Sequence, residues 1–109
     1  MSEIKELIFT KQAEEDLRGI YDFIKRNDSV KSAKRIYYLI KENCNKIKCF
    51  PHIGHIPPEL EKVSIFHYLE INFKPYRIIY QVMANDVIIF GIFDGRRNLE
   101  DILTKRLLK

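Results

Sequence analysis

The sequence contains no long apolar run and only two cysteines, and each shortage excludes a class of protein. No stretch approaches the roughly 20 apolar residues that a membrane-spanning helix requires. The first residues, MSEIKELIFTKQ, lack the basic-then-apolar order of a secretory signal, so we expect a soluble cytoplasmic protein without membrane contact. Cys44 and Cys49 are too few for a disulfide framework, and we expect both to be reduced thiols that are buried or half-buried.

Histidine is scarce as well, and the sequence predicts neither a metal site nor a cofactor site. His52 and His55 form an HxxH spacing in a proline-bounded loop. A metal site normally needs three or four ligands, and only Glu59 and Glu61 are placed to complete the set. We therefore expect no bound metal, and no motif indicates an organic cofactor.

Length and charge indicate one domain with an ordinary surface. The 109 residues, 46% of them hydrophobic, suffice for a single domain over residues 1–109 with one modest core. The net charge of +4 permits an acidic protein or a nucleic acid as partner. A solvated surface, with a nucleic-acid patch as the alternative, is expected for the lysines of the predicted helices, namely Lys31, Lys34, Lys41, Lys46 and Lys48.

The N-terminal half has the pattern of a strand followed by a helical hairpin. Residues 4–9 are a short apolar run that predicts a strand, and Thr10 is placed to cap the helix that follows. Residues 27–29, Asn-Asp-Ser, then end one helix and cap the next, which stops before Pro51. The apolar stripes of the two helices are Ala13, Leu17, Ile20, Tyr21 and Ile24, and Ala33, Ile36, Tyr37, Ile40, Cys44 and Ile47. Residues 51–61 contain three prolines and a glycine and are expected to be irregular and exposed.

The C-terminal half predicts three strands and a final helix. Two alternating sets mark a half-buried strand, with Leu69, Ile71 and Phe73 on one face and Tyr68, Glu70 and Asn72 on the other. Residues 76–83 and 87–93 form a hairpin about residues 84–86, and the last strand is apolar on both faces, which predicts a central position. Asn98 then caps a short helix. The predicted fold class is α/β (α+β): an N-terminal strand, a two-helix hairpin, a three-stranded antiparallel meander and a short C-terminal helix.

Four segments in this order resemble the RelE/ParE superfamily of bacterial toxins. They are AEEDLRGIYDFI in the first helix, FPHIGHIPPEL in the loop, YRIIYQV in a strand, and the run Gly95, Arg96 and Arg97. The resemblance spans Phe9 to Leu103 and implies a small α/β fold with a curved antiparallel sheet. It also implies a type II toxin-antitoxin system in which a cognate antitoxin wraps and silences the toxin. Growth arrest and plasmid stabilisation are the implied consequences.

One branch of this superfamily, RelE, implies a metal-free, ribosome-dependent endoribonuclease with the ribosome and mRNA as partners. Such chemistry requires a general base and several positive groups around the scissile phosphate. Arg77 and Arg97 match arginines of that branch, and Glu70 would have to be recruited as the base. Where the branch has lysines this chain has Tyr68 and Glu70, and where it has a C-terminal tyrosine this chain has Leu103. A carboxylate at Glu70 would repel the phosphate.

The ParE branch is the closer resemblance, because the paired helices are long and the first contains YDFI. It implies a non-enzymatic inhibitor of DNA gyrase, with Asp94, Arg96, Arg97 and Arg77 as the target-binding residues. Asp94 stands where many relatives have histidine, so a group that titrates near neutral pH is missing. A third possibility is a degenerate member that binds its antitoxin in a hetero-oligomer but is not toxic.

The same residues could instead have purely structural roles. Arg77 could pair with Glu70 across the sheet. Asp94 could pair with Arg96 or Arg97, and the two arginines could form a solvated entry to the last helix.

The apolar strands suggest both a packed sheet and an uncovered surface. Tyr76 and Tyr80 are more typical of sheet packing than of base stacking. We also expect an apolar groove beside the sheet, because the last strand is apolar on both faces and the short final helix covers only part of it. A segment of the antitoxin would fill this groove.

Overall fold

A computed structural model describes residue 4 and residues 6–107 of the chain, and it confirms the predicted mixed α/β fold. In chain order the elements are β1 (Glu6–Phe9), α1 (Lys11–Asn27), α2 (Val30–Cys49), α3 (Pro58–Glu61), β2 (Leu69–Phe73), β3 (Tyr76–Met83), β4 (Asp86–Asp94) and α4 (Leu99–Leu107). The observed first strand is shorter than the predicted one over residues 4–9. Residue 5 of that prediction lies outside the described residues.

Two side-chain caps fix where the helices of the hairpin begin. Thr10 Oγ1 accepts a hydrogen bond from the backbone N–H of Ala13 at 3.1 Å, and Ser29 Oγ accepts one from Ser32 at 3.0 Å. Each bond satisfies a backbone donor that the helix itself leaves free. Both predicted caps are thus confirmed. None of the helices in the described part of the chain combines the length and the apolar character that crossing a membrane requires.

The four strands form one mixed sheet in the order β1-β4-β3-β2. β2, β3 and β4 are antiparallel neighbours, as predicted, and β4 lies in the interior between β1 and β3. β1 runs parallel to β4, so the sheet is not wholly antiparallel. The connection between the strands explains this direction. Two parallel strands must be joined by a long crossover, and here the helical hairpin that follows β1 forms the first part of that crossover. The β3–β4 hairpin turns at residues 84 and 85, where Ala84 has a φ of 54°.

The sheet divides the single core expected from the composition into two clusters, one on each face. α1 and α2 cover one face, where Leu17, Ile40 and Tyr80 are among the buried side chains. α3 and α4 cover the other face, around Ile79 and Phe93. The neighbours Ile79 and Tyr80 belong to different clusters because successive side chains of a strand point to opposite faces. Both faces of the interior strands are therefore covered, as the apolar pattern of β4 predicts.

The loop before β2 is less irregular and less exposed than predicted. Residues 58–61 form the one-turn helix α3, whose Leu60 is 1% exposed. The buried Tyr80 donates its hydroxyl hydrogen to the Pro51 carbonyl at 2.8 Å and accepts the Gly54 N–H at 3.0 Å. A side chain from β3 thus holds this loop against the sheet. Local composition could not predict a contact between segments so far apart in the chain.

Of two further predictions about burial, one is wrong for one of its two cysteines and the other is wrong. Cys44 is buried, which raises the pKa of its thiol to about 12, but Cys49 is exposed at the end of α2. The alternating pattern of β2 places Glu70 on the face opposite the apolar side chains and so predicts that Glu70 is exposed. Its side chain is only 1% exposed. The face that carries Glu70 is covered by α3 and α4, so it is not the solvent side of a half-buried strand.

Candidate functional site

β4 ends in a tight turn that carries the paired arginines, here called the arginine corner (residues 94–97). The Gly95 N–H donates to the Pro75 carbonyl at 2.6 Å, and the Arg97 N–H donates to the Asp94 carbonyl at 3.1 Å. A Cβ added at Gly95 would lie 3.0 Å from the Pro75 oxygen and 3.3 Å from Arg77 Cδ. Close approach of two backbone segments therefore explains the glycine, and it fixes the residues on either side.

Within the arginine corner, Asp94 and Arg96 form a closed pair. Asp94 Oδ1 accepts the N–H and the Nε–H of Arg96, both at 2.9 Å, and Oδ2 accepts from Nη2 at 2.6 Å. These hydrogen bonds lower the pKa of Asp94, so the carboxylate stays ionised. The predicted pairing of Asp94 with an arginine is thus confirmed. The Arg96 side chain is 75% exposed, so this pair lies at the surface and stabilises the fold little.

Arg97 is the second cation of the corner, and it is available to a partner. Its side chain is exposed, and within residues 6–107 the guanidinium forms no ion pair and no hydrogen bond, although the backbone N–H is bonded to Asp94. The guanidinium carries five N–H donors in a planar arrangement that matches carboxylate and phosphate groups. The corner therefore presents one arginine held by a carboxylate next to one that is free.

A cleft of about 460 Å³ opens between α1 and the arginine corner. Its lining residues are Glu15, Asp16, Gly19, Ile20, Phe23 and Ile24 from α1, and Tyr76, Ile92, Asp94, Arg96 and Arg97 from the sheet and the corner. Burial raises the pKa of Tyr76, and the charge of Asp94 raises it further, so this hydroxyl stays protonated at neutral pH. The cleft is a candidate for the predicted groove beside the sheet. It is not purely apolar, because charged residues of both α1 and the corner are among its lining residues.

Asp16 ties three elements together at the wall of this cleft. Its Oδ2 accepts the Ile92 N–H at 3.1 Å and Arg106 Nη1 at 2.6 Å, and its Oδ1 accepts Nη2 at 3.2 Å. Arg106 also lies over the Phe93 ring, with Cζ 4.8 Å from the centroid. β1 pairs with β4 only as far as Ile89, so the carboxylate takes the place of a strand partner for Ile92. The sequence did not reveal this contact, because Asp16 suggests only a favourable charge early in α1.

The Arg77 guanidinium lies in a partly buried network of ion pairs. Its Nε and Nη2 donate to Glu70 at 2.7 and 2.6 Å, and its Nη1 and Nη2 donate to Glu59 at 2.7 Å each. The hydrogen bonds to Glu59, and then those to Glu70, raise the pKa of Arg77. The hydrogen bonds that Arg77 donates to Glu59 also lower the pKa of Glu59. The predicted pairing of Arg77 with Glu70 is confirmed, and Glu59 is a member that the sequence did not reveal.

Glu70 is closed off from solvent in this network. Its Oε2 lies 3.5 Å from His55 Nε2, and the two residues also exchange backbone hydrogen bonds at 3.0 and 2.7 Å. Two of the three nuclease candidates, Arg77 and Glu70, are therefore bound to each other, while Arg97 lies in the exposed corner. Among the described residues, no group of three or more His, Cys, Asp or Glu side chains is placed to hold a metal ion, at His52 and His55 or elsewhere.

Comparison with known proteins identifies the family. A family model described as the ParE toxin of the type II toxin-antitoxin system parDE matches residues 7–99. The chain belongs to the ParE toxin family. Toxin ParE3 of Caulobacter vibrioides is 28% identical to this ParE-family chain over an alignment of 104 residues, which covers 92% of this chain and 96% of ParE3. A solved structure described as the chromosomal ParDE toxin-antitoxin system from P. aeruginosa matches with a TM-score of 0.70. That match covers 84% of this chain and 96% of the other at 18% identity, and it shows the shared fold.

Membership of the ParE family confirms the resemblance that the sequence motifs indicate. The protein is a ParE-type toxin of a type II toxin-antitoxin system, and this context supports an antitoxin as its partner. The matched residues 7–99 include the arginine corner, the cleft beside it and the Arg77 network. Most of α4 follows the matched region.

Proposed function

We propose that this ParE-type toxin acts in the cytoplasm by binding DNA gyrase through the arginine corner, and that a cognate antitoxin neutralises it in a toxin-antitoxin hetero-oligomer. The observation that carries the proposal is the position of Arg97, which is exposed beside an open cleft and has no ion-pair partner within residues 6–107. Arginine is enriched at protein interfaces and suits phosphate contacts. Growth arrest is the expected result when the antitoxin is absent.

The Arg77 network supports binding by the arginine corner rather than RNA cleavage. Cleavage needs a base that can reach the 2′-hydroxyl and cations that are free to stabilise the developing charge. Arg77 and Glu70 neutralise each other, and Glu59 adds a second carboxylate to the same guanidinium. The network is thus negative in sum, and a negative group repels an RNA phosphate.

A purified-gyrase assay of supercoiling and DNA cleavage tests the proposal. Wild-type protein should inhibit supercoiling and accumulate cleaved DNA at near-stoichiometric ratios. Arg97→Ala should inhibit about tenfold less, or about 1.4 kcal/mol, because an interface arginine is lost. Arg35→Ala removes an exposed cation of α2 as the matched control and should inhibit like wild type. No inhibition by an excess of wild type, or full activity of Arg97→Ala, would contradict the proposal.

RNA from the same induced cells distinguishes the RelE-like alternative. An mRNA endoribonuclease would produce new RNA ends that depend on translation and that disappear in Arg97→Ala. We expect no such ends during growth arrest. Their appearance would replace gyrase with the ribosome and mRNA as the target.

Asp94 supports a second candidate function, antitoxin binding without toxicity. Its carboxylate holds the backbone N–H, Nε and Nη2 of Arg96, which withdraws one of the two arginines from a target. Induction without antitoxin decides between the candidates, since normal growth would favour the non-toxic one. Asp94→His would then release Arg96 and should produce growth arrest. Growth arrest by the wild-type chain would exclude this second candidate.

A further inference from the structure

The solvent side of α2, here called the α2 face, has a strong excess of positive charge. Its exposed charged residues are one acid, Glu42, and the cations Lys31, Lys34, Arg35, Lys46 and Lys48. None of these five cations forms an ion pair in the part of the chain that the structure describes. The role proposed for the arginine corner makes no use of them, so their charge is available to a ligand.

The cations of the α2 face extend along most of the helix. An α-helix rises 1.5 Å per residue, so Lys31 and Lys48 are separated by about 25 Å along the axis. Lys31 and Arg35 lie opposite the buried stripe of α2, while Lys34 and Lys48 lie on one flank. Duplex DNA carries one negative charge per about 1.7 Å of its axis, so a segment of this length presents on the order of 15 phosphates. The α2 face therefore matches an extended array of negative charges.

The composition of the α2 face suits a phosphate backbone better than a protein surface. Four of its five cations are lysines, and lysine is depleted in protein–protein interfaces. Tyr38 stands among these cations and is 65% exposed, and Asn45 is exposed on the same side of the helix. A tyrosine hydroxyl and an asparagine amide both donate hydrogen bonds to phosphate oxygens. The polar groups of the face thus support the charge match.

Single-stranded nucleic acid fits the α2 face less well than a duplex does. Proteins hold single strands by stacking successive bases on several aromatic rings. Tyr37, the neighbour of Tyr38, instead packs edge to face on Tyr21, with ring centroids 6.1 Å apart and an angle of 87° between the planes. Tyr38 is therefore a single platform, whereas phosphate contacts to a duplex need no stacking.

We propose that the α2 face binds the phosphate backbone of duplex DNA without reading its base sequence. The cations displace counterions condensed on the DNA, and the release of those ions drives binding. Contacts to phosphates carry no direct information about the bases. The described residues that line the cleft at the arginine corner include none from α2, so the two surfaces are separate. The inference does not depend on the gyrase proposal, although DNA binding would concentrate a gyrase inhibitor on the DNA that gyrase acts on.

Fluorescence anisotropy with labelled oligonucleotides tests the proposal. The probes are two DNA duplexes of about two helical turns with unrelated sequences, a dT single strand of the same length, and a polyglutamate peptide. Both duplexes should bind equally and more tightly than the single strand or the peptide. Between about 50 and 200 mM salt, five phosphate contacts predict a slope of about −4.5 for the logarithm of the binding constant against that of the salt concentration.

Two variants with the same loss of charge locate the binding. The α2 variant carries Lys31→Gln, Lys34→Gln and Lys46→Gln, and the control variant carries Lys62→Gln, Lys74→Gln and Lys105→Gln at exposed cations outside α2. Glutamine and lysine have similar helix propensities, and circular dichroism checks that each variant is folded. The α2 variant should bind the duplexes at least about tenfold more weakly, with a salt slope reduced by about 3. The control variant should keep the slope and stay within about twofold of wild type.

Arginine at the same three positions separates charge from other effects of substitution. The variant with Lys31→Arg, Lys34→Arg and Lys46→Arg keeps every positive charge of the α2 face and should bind the duplexes with the slope of wild type. Four results would each overturn the proposal: no binding of the duplexes by wild type, equal weakening of the α2 and control variants, tighter binding of the single strand or the peptide, and a clear preference for one duplex sequence.

The gyrase assay distinguishes failure of this proposal from failure of the gyrase proposal. The α2 variant should still inhibit gyrase at near-stoichiometric ratios. Arg97→Ala should inhibit gyrase less and bind the duplexes within about twofold of wild type. If wild type inhibits gyrase but binds no free duplex, the α2 proposal fails alone. If wild type binds the duplexes through the α2 face and spares gyrase, the gyrase proposal fails alone.

Discussion

Arg77 reaches Glu70 on the neighbouring strand and places Nη2 2.6 Å from Oε2. The two residues are diagonal neighbours, since Glu70 is opposite Ile79 and Arg77 is opposite Asn72 in the register of β2 and β3. The Glu70 side chain is 1% exposed and the Arg77 side chain is 15% exposed, so breaking the contact would leave a charge largely cut off from water without its partner. The contact gives a structural role to two residues that the RelE resemblance had made candidates for a nuclease site.

Removing the Arg77 guanidinium should therefore destabilise the fold strongly. Arg77→Met keeps much of the side-chain length but leaves the buried carboxylate of Glu70 without its cation. We expect the free energy of unfolding to fall by about 3 kcal/mol. Urea unfolding followed by circular dichroism at neutral pH measures the change. Arg35→Met at an exposed site should change stability by no more than about 0.5 kcal/mol. Equal stability of the two variants would show that the network is dispensable.

Glu59 should make part of the stability depend on pH. Hydrogen bonds from Arg77 hold its pKa in the folded protein below the ordinary value of 4.5. A carboxyl with a lowered folded-state pKa contributes stability that is fully present above the unfolded-state value and is lost as pH falls through the folded-state value. Wild type should thus lose stability on acidification below pH 4.5, and Glu59→Gln should lose less. Urea unfolding across this range compares the two, and identical losses would exclude Glu59 as a source.

Gly95 and Gly19 should respond in opposite ways to a methyl group. At Gly95 the new Cβ would lie 3.0 Å from the Pro75 oxygen, so the arginine corner must shift, and we expect a loss of about 1 kcal/mol with weaker gyrase inhibition. At Gly19, inside α1, the new Cβ meets nothing within 4 Å. Gly19→Ala should raise stability by about 0.5–1 kcal/mol, because alanine favours the helix. Thermal unfolding measures both. A stabilised Gly95→Ala variant would contradict the close approach seen at the corner.

Asp16 should hold α4 and the end of β4 in place. Asp16→Ala leaves the Ile92 N–H and the Arg106 guanidinium without their acceptor, and we expect a loss of about 2–3 kcal/mol. Hydrogen exchange should accelerate at the Ile92 amide. Asp22→Ala, at an exposed position of the same helix, is the control and should leave that amide protected. Unchanged protection of Ile92 in Asp16→Ala would show that another group satisfies its N–H.

The parts of the fold that the sequence predicted depend on residues close together in the chain. The caps Thr10 and Ser29 act within three residues, and the apolar stripes repeat at the spacing of one helical turn. The arginine corner was predictable for a related reason, because Gly95 and its arginines directly follow a strongly apolar strand. The sequence could not select which arginine Asp94 holds. That choice depends on how the turn at Gly95 packs against Pro75.

The sequence by itself determined the elements, their order and the ParE resemblance, since these reside in local patterns and in the succession of motifs. Only the tertiary structure decided which charged side chains are structural and which are displayed. Arg77 and Glu59 are 18 residues apart, and Asp16 and Arg106 are 90 apart. Burial and pairing of charges depend on which faces of distant elements meet, and no local pattern specifies that. The fold holds Arg77 between two carboxylates and leaves Arg97 exposed.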